Sequence, residues 1–332
     1  MHFTQFIKQI FPNSKIVDTA LIFPRREDGW AVDMPQVDTC NFHQDDFKLI
    51  LNLQDMLTGG EMFPEELTEI HNYYAPWGLE VLKKIIVIVW PLNIKQVWPK
   101  NSFHIIEFSS HQYETWQAYK EQEDVLRDAF SEDKKDFEYN FLCMNRIQKP
   151  HRSIAVSKVD NKWGNISLQS AGRELSYPSL SFNEYDDLYD NLVNLLSVKK
   201  NFNTSLFSIV TESQFTEQFG IITEKTFNAI VAGHPILMIG HIGALENIKT
   251  YGFQTFENMF NEDYDIHEND VRLDCALQEN RQFWQQRMSN NDMQDCYEYM
   301  KPVIDWNRDW FFDQLGDHLL SDLRLQLLDA WK

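Results

Sequence analysis

The chain of 332 residues has little cysteine, a deficit of positive charge and no long apolar run. Cys40, Cys143, Cys275 and Cys296 are far apart, and none belongs to a C-x-x-C pair or a Cys/His cluster. That excludes a clustered zinc site and a disulfide framework, and favours reduced, partly buried thiols. The longest apolar run, Ile85 to Trp90, is far too short to span a bilayer, so no membrane partner is expected. The opening stretch MHFTQFIKQIFPNSK lacks a long apolar segment and a small-residue cleavage site, and a cytoplasmic location is the expectation. Basic residues number 30 against 50 acidic ones, a formal net charge of −20. Such a chain repels phosphate polymers, which disfavours nucleic acid as a partner without forbidding a locally basic cleft. The sequence also lacks internal repeats and low-complexity tracts.

What is present is apolar and aromatic: 43% hydrophobic residues, 24 Phe and 10 Trp. The length favours two domains, each with its own core. In the first part, Ile16–Phe23, Phe47–Leu53, Ile85–Trp90 and Phe103–Phe108 read as strands, with helix-like segments at Pro64–Tyr74 and Gln112–Phe130. The continuous β-branched run KKIIVIVWPLN suits a strand buried on both faces of a parallel sheet. The charged segment SEDKKDFEY, 131–139, reads as a linker. The pattern then restarts: strands at 139–145, 165–169, 205–212 and 235–240 alternate with helices at 153–159, 183–196, 223–231 and 244–251, and a short strand is expected at Gly252–Phe256. Strand–helix alternation with short links predicts a doubly wound parallel sheet. From about Glu268 the chain reads as helices punctuated at Met300–Pro302, the last carrying Trp306, Trp310, Phe311, Leu315, Leu319, Leu323 and Leu327. The expected organisation is an α/β domain over 1–135, a second over 136–290, and C-terminal helices over 291–332.

Three constellations lie at predicted carboxyl edges of strands, where open α/β sheets bind ligands. In GIITEKTFNAIVAGHPILMIG, 220–240, Thr223 stands where an N-cap would. A helix start is a ready anion seat, and Lys225 in its first turn opposes the dipole unless an anion pairs with it. Glu224 has the right sign for the dipole and suits a vicinal diol such as a ribose. The plainer alternative is a solvated charged pair. Gly233 reads as the residue that ends this helix, Gly240 as a ligand-edge glycine, and Gly243 as turn chemistry. The loop CMNRIQKPHRS, 143–153, gathers Arg146, Lys149, His151 and Arg152 in a chain that is otherwise acidic. Arginine forks suit phosphate, and a basic surface loop is the alternative. Glu212 ends the strand SLFSIVTE and reads as a ligand, a catalytic group or an arginine partner.

SLFSIVTES followed by ITEKTFNAIVAGHPILMIG resembles the C-terminal domain of fucosyltransferase-like glycosyltransferases, in which a strand ends in Glu and is followed by V-T-E-K, a helix, A-G and a P-V-V-x-G strand. The stretch from FLCMNRIQKPHR to GALENIKTYGF is similar to glycosyltransferases of phages and large viruses and their bacterial relatives. The resemblance covers about residues 139–260 and extends through WNRDWFF to 312; it does not specify the first 130 residues. It implies a GT-B fold, two Rossmann-like domains facing across a cleft with C-terminal helices, an acceptor-side first domain and a second domain that holds a nucleotide-diphosphate sugar. On the family pattern Glu224 binds the ribose, Lys225 the diphosphate, and Arg152 or Arg146 neutralises it. The donor site then comprises Asn145, Arg146, His151, Arg152, Thr223, Glu224, Lys225 and Gly240.

Glycosyl transfer stabilises a departing diphosphate with a metal or with helix termini and cationic side chains. The one D-x-D, Asp263-Tyr264-Asp265, lies far downstream and reads as an acidic turn, so no metal or other cofactor is expected. The acceptor is expected to be a glycan or a hydroxymethylated base of viral DNA. Inverting transfer also needs a general base. Asp33, Asp38, Asp45, Glu107 and His111 are candidates, with Glu107 and His111 ending the strand FHIIEFSSH, and Glu212 is the candidate from the second domain. A nucleotide- or glycan-binding module without turnover, built on aromatic platforms, is the alternative outside enzymology.

Overall fold

The computed structural model describes residues 3–18, 25–26, 29–30, 47–52, 64–89, 103–131, 136–145, 149–159, 162–168, 195–215 and 222–331. The protein is mixed α/β with two four-stranded parallel sheets. It divides into two compact units, Met1–Glu114 with Asp317–Lys332, and Thr115–Gly316.

The first unit starts with helix α1 (Phe3–Ile10) and strand β1 (Lys15–Asp18). A two-residue antiparallel pair, β2 (Arg25–Arg26) with β3 (Gly29–Trp30), precedes β4 (Leu49–Asn52). Helices α2 (Pro64–Tyr74) and α3 (Leu79–Leu82) lead to β5 (Ile85–Val89) and β6 (His104–Glu107). The sheet order is β1-β4-β5-β6. Each described strand lies next to its predecessor in the chain, so this sheet shows no reversal of order among the described residues. All five residues of β5 are buried, the outcome that a β-branched run without alternation predicts. The buried Lys48 ammonium donates to the Ala330 carbonyl at 3.1 Å and to Lys83 O at 3.4 Å. It thereby satisfies a carbonyl in the last turn of helix α12 (Leu315–Trp331).

The second unit takes in most of α4 (Ser110–Lys120), then α5 (Glu123–Ala129), β7 (Tyr139–Asn145), α6 (Pro150–Lys158), β8 (Gly164–Leu168), α7 (Lys199–Asn203), β9 (Ser205–Thr211), α8 (Glu224–Val231), β10 (Ile236–Ile239), α9 (Ala244–Thr250), α10 (Asn269–Glu279) and α11 (Asn290–Asp313). Its sheet order is β10-β9-β7-β8, all parallel. The chain leaves β7 to form β8 on one side and returns to form β9 on the other, which makes the β7/β9 boundary a topological switch point. Every residue of β9 is buried. Gly164 is fixed by packing: a Cβ there would lie 2.1 Å from the Phe141 ring.

Three expectations are corrected. The segment 112–130 is two helices, α4 and α5, rather than one. Gly252–Phe256 is not a strand. Gly252 has φ 88°, and the backbone N–H and C=O of Gln254 are taken by the Asn307 side-chain amide, each at 2.8 Å, in place of a ladder. Pro302 does not end a helix: α11 runs through it for 24 residues. The break falls later, between α11 and α12, so the tryptophans at 306 and 310 and the leucines from 315 onward belong to different helices. Proline removes one N–H and crowds the preceding turn, yet the helix is anchored on both sides by buried Met293, Tyr297, Met300, Ile304 and Phe311. Ser289 caps its start, accepting from Asp292 N at 3.1 Å. The helix expected at 183–196 lies mainly, and Arg146, Asp33, Asp38 and Asp45 lie wholly, outside the described residues. Among the described residues, no helix is long and apolar enough to cross a membrane.

Candidate functional site

The carboxyl ends of β7, β9 and β10 carry an unusual density of buried charge. At the end of β9 sits Glu212, with none of its surface exposed. Its Oε1 accepts from the Thr223 backbone N–H (3.1 Å) and the Thr226 hydroxyl (2.5 Å), and its Oε2 accepts from the Thr223 hydroxyl (2.5 Å) and Ser213 N–H (3.3 Å). Thr223 is the N-cap of α8, as its side chain predicts, and accepts weakly from Lys225 N at 3.5 Å. Ala232 closes the helix, and Gly233 follows in the left-handed region at φ 68°, the conformation glycine adopts without a Cβ penalty. The naked anion seat expected at the start of α8 is therefore already served by the chain's own carboxylate. Glu212 is an anchor for that helix start, with its lone pairs committed.

Charge of the opposite sign converges beside it. Lys149, just ahead of α6, donates its Nζ to Ser213 O at 2.6 Å. Lys225 Nζ reaches Ser213 Oγ at 3.2 Å, Thr223 Oγ1 at 3.4 Å and Glu224 Oε1 at 2.5 Å. Both lysines thus bond Ser213, Lys149 at its backbone carbonyl and Lys225 at its hydroxyl, two residues past β9 at the switch point. Behind them lie His151 and Arg152. His151 Nε2 bonds Glu212 O at 3.0 Å, and its ring stacks on Phe215 at 4.8 Å. Arg152 Nη2 makes long contacts of 3.4 Å to Thr211 O and Glu212 O. Burial pulls the Arg152 pKa down, and the nearby carboxylates of Glu212 and Glu224 push it back. Arg152 is only 2% exposed, whereas the Lys225 and Glu224 side chains are 25% and 22% exposed. The lysines are thus the cations a ligand can touch, and Arg152 adds its charge from beneath.

A second cluster closes the β10 side. Gly240 is set by packing: a Cβ would stand 3.0 Å from that of Ala244 and 3.5 Å from that of Glu212. Arg272 is 1% exposed on α10. It donates to Gly240 O (3.0 Å), His267 O (2.7 Å) and Phe215 O, and its guanidinium lies 4.7 Å over the Phe215 ring. Asp265, the last residue of the D-x-D, is buried in a 3₁₀ turn and accepts from Leu245 N at 2.9 Å at the start of α9. Burial pushes its carboxyl up, and the amides of Leu245, Glu246 and Ala244, with Arg272, hold it back. The D-x-D thus serves a helix start. His241, 3% exposed, is held neutral: burial, reinforced by the Arg272 charge, pulls its pKa down to about 4. Its Nε2 faces the Asn247 amide nitrogen at 3.5 Å, and its Nδ1 has no hydrogen-bond partner among the described residues.

Of the expected site residues, the second unit brings together His151, Arg152, Glu212, Thr223, Glu224, Lys225 and Gly240. Asn145 belongs to the same edge but accepts from the Thr211 hydroxyl as part of the β7–β9 contact. Glu107 and His111 belong to the first unit. The Glu107 backbone exchanges two hydrogen bonds with the Gln326 side chain (3.1 and 2.9 Å), and His111 stands in the first turn of α4. Three members of the edge carry no sequence expectation, Ser213, His241 and Arg272, and Asp265 is expected only as part of an acidic turn. Arg272 had a readable signal, a cation on the stripe it shares with the buried Leu273, Ala276 and Leu277. Compared with protein-family models, curated proteins and solved structures, the chain gives no match.

Proposed function

We propose that the carboxyl edge of the second sheet binds the diphosphate of a nucleotide sugar and that the protein is a glycosyltransferase of GT-B type. The observation that carries this reading is that Lys149 and Lys225 both bond Ser213, at the switch point of a doubly wound sheet, with Arg152 beneath. In a chain of net charge −20, two lysines that bond one residue at a strand edge, with a buried arginine in the same cluster, favour an anionic ligand. Glu224, the carboxylate paired with Lys225, suits a ribose diol beside a lysine-bound phosphate. Positive charge for the departing diphosphate comes from Lys225, Lys149 and the field of Arg152, so the transfer we propose is metal-independent. The acceptor is a glycan hydroxyl, or a hydroxymethylated base of viral DNA, which the net charge disfavours.

One observation favours the second reading, a nucleotide-binding protein without turnover. The acids of this edge are committed: Glu212 and Asp265 hold helix starts and Glu224 pairs with Lys225. On the enzymatic reading the general base is a group other than these three acids. Titration with GDP, UDP and CDP tests the binding claim, and release of nucleoside diphosphate from a panel of nucleotide sugars separates the two readings. Binding with no release under any donor and acceptor leaves the non-catalytic module.

A further inference from the structure

Helix α11 carries two apolar faces, and the core uses one. Met293, Tyr297, Met300, Ile304 and Phe311 are buried. Tyr299, Pro302, Val303, Trp306 and Trp310 follow one another at i, i+3, i+4, i+7 and i+11, the spacing of a second stripe along the same helix, and none of them is buried. Tyr299 is 67% exposed and Trp306 46%. The fold holds the indoles in place. Trp306 and Trp310 stack with centroids 5.8 Å apart and planes 13° from parallel, and their Nε1 groups donate to Gly252 O at 3.2 Å and Tyr251 O at 2.7 Å. Gly252 is required by this arrangement, because a Cβ there would lie 2.3 Å from the Trp310 ring. A run of large aromatics left open on a surface, with the indole N–H groups already bonded, is the mark of an interaction face.

Charge decides what covers it. Helix α11 has six acidic residues and two basic ones. Lys301 pairs with Asp305 at 3.1 Å, and Arg308 is buried. Toward the end of the helix Asp309 pairs with Arg127 at 2.9 Å. Asp292, Asp295 and Glu298, in the turns leading up to Tyr299, are exposed and have no ion pair among the described residues. A second copy of the chain laid on this face would set acids against acids, and nucleic acid or an anionic membrane would be repelled as well. A cation is favoured twice, by carboxylates without a counter-charge and by exposed ring faces that attract ammonium and guanidinium groups. The stripe runs for about three turns, roughly 16 Å, a length and spacing that a second helix matches.

We propose that this face of α11 docks a basic amphipathic helix of a partner protein. The apolar side of that helix covers Tyr299, Val303 and Trp306, and its lysines or arginines reach Asp292, Asp295 and Glu298. The surface is separate from the diphosphate edge: α9 starts at that edge and runs seven residues, about 10 Å, before the chain reaches Tyr251 and Gly252. The proposal is therefore independent of the nucleotide reading.

Fluorescence anisotropy with labelled amphipathic peptides of about five helical turns tests it. One peptide has a leucine face and a lysine face; two others carry glutamate or glutamine in place of the lysines. The lysine peptide is expected to bind wild type, the glutamine peptide to bind roughly threefold or more weakly by comparison, and the glutamate peptide not to bind. Tyr299→Ala is expected to weaken the lysine peptide roughly threefold, and Tyr299→Ala with Trp306→Ala roughly tenfold or more. Tyr299→Ala is expected to melt with wild type, since its ring is mostly in solvent. Asp295→Asn with Glu298→Gln is expected to weaken the peptide roughly threefold, whereas the same loss of charge on another surface, Glu257→Gln with Glu279→Gln, changes it less than about twofold. No binding of the lysine peptide, equal binding of the three peptides, equal losses from the two pairs of acids, or unchanged binding without the two rings overturns the inference. A wild-type dimer in sedimentation that the two ring substitutions dissolve also overturns it, by assigning the face to a second copy.

Discussion

Glu212 shows how much one side chain settles at this edge. Four donors surround its carboxylate, and Arg152 lies close enough for its charge to be felt. Removing the acid leaves buried donors and a buried guanidinium without their anion. Glu212→Ala is therefore expected to lower stability by about 3–5 kcal/mol, the cost of breaking a buried charged network from one side. Denaturant unfolding checks it, and a loss under 1 kcal/mol would show that Glu212 is not the anchor. His241 sets a pH dependence of definite sign. Its folded pKa of about 4 lies below the unfolded value near 6.5, so the unfolded chain binds more protons between them. The contribution is complete above the unfolded value and is lost as pH falls toward 4. It is worth up to about 3 kcal/mol. Melting temperatures of wild type and His241→Phe are expected to diverge below pH 6.5, with the wild type falling faster; parallel acid limbs would contradict it.

At the scale of elements, α11 carries the least expected feature. Pro302 interrupts its hydrogen-bond ladder, and the helix persists because buried residues on both sides hold it in place. Pro302→Ala is expected to raise stability by about 1–3 kcal/mol, less than the full interior-proline cost if the helix has already adapted. Thermal unfolding reads this, and a destabilised variant would show that the proline is needed where it stands. The same helix marks the limit of what the sequence made legible. The run 85–90, the strand 205–211 and the cap at Thr223 were readable because their signals are local: β-branched runs, apolar blocks and a capping residue beside its helix. The helix through Pro302 and the absence of a strand at 252–256 were not, because the deciding partners are remote. Asn307 takes the backbone of Gln254 from 53 residues away. The candidate site follows the same rule. The charged pair at 224–225 and the basic loop ahead of α6 stand out in sequence. The commitment of Glu212 and Asp265 to helix starts, and the carbonyl contacts of Arg272, arise only when β7, β9 and β10 bring distant segments to one edge.

For the molecule as a whole, the two sheets differ in a way that bears on function. Among the described strands the first sheet runs in chain order, whereas the second reverses at β7/β9. Ligand sites in open α/β sheets form where the order reverses. The basic side chains gather at that reversal, in a chain with 20 more acidic than basic residues. Lys149 and Lys225 are thus the natural test of the central claim that this edge is a diphosphate site. Calorimetric titration of wild type, Lys149→Ala and Lys225→Ala with GDP, UDP and CDP measures it directly. At least one nucleotide is expected to bind wild type and to bind each variant roughly tenfold or more weakly, the worth of a charge-assisted contact. No binding to wild type, or Lys225→Ala binding as tightly as wild type, would contradict the account.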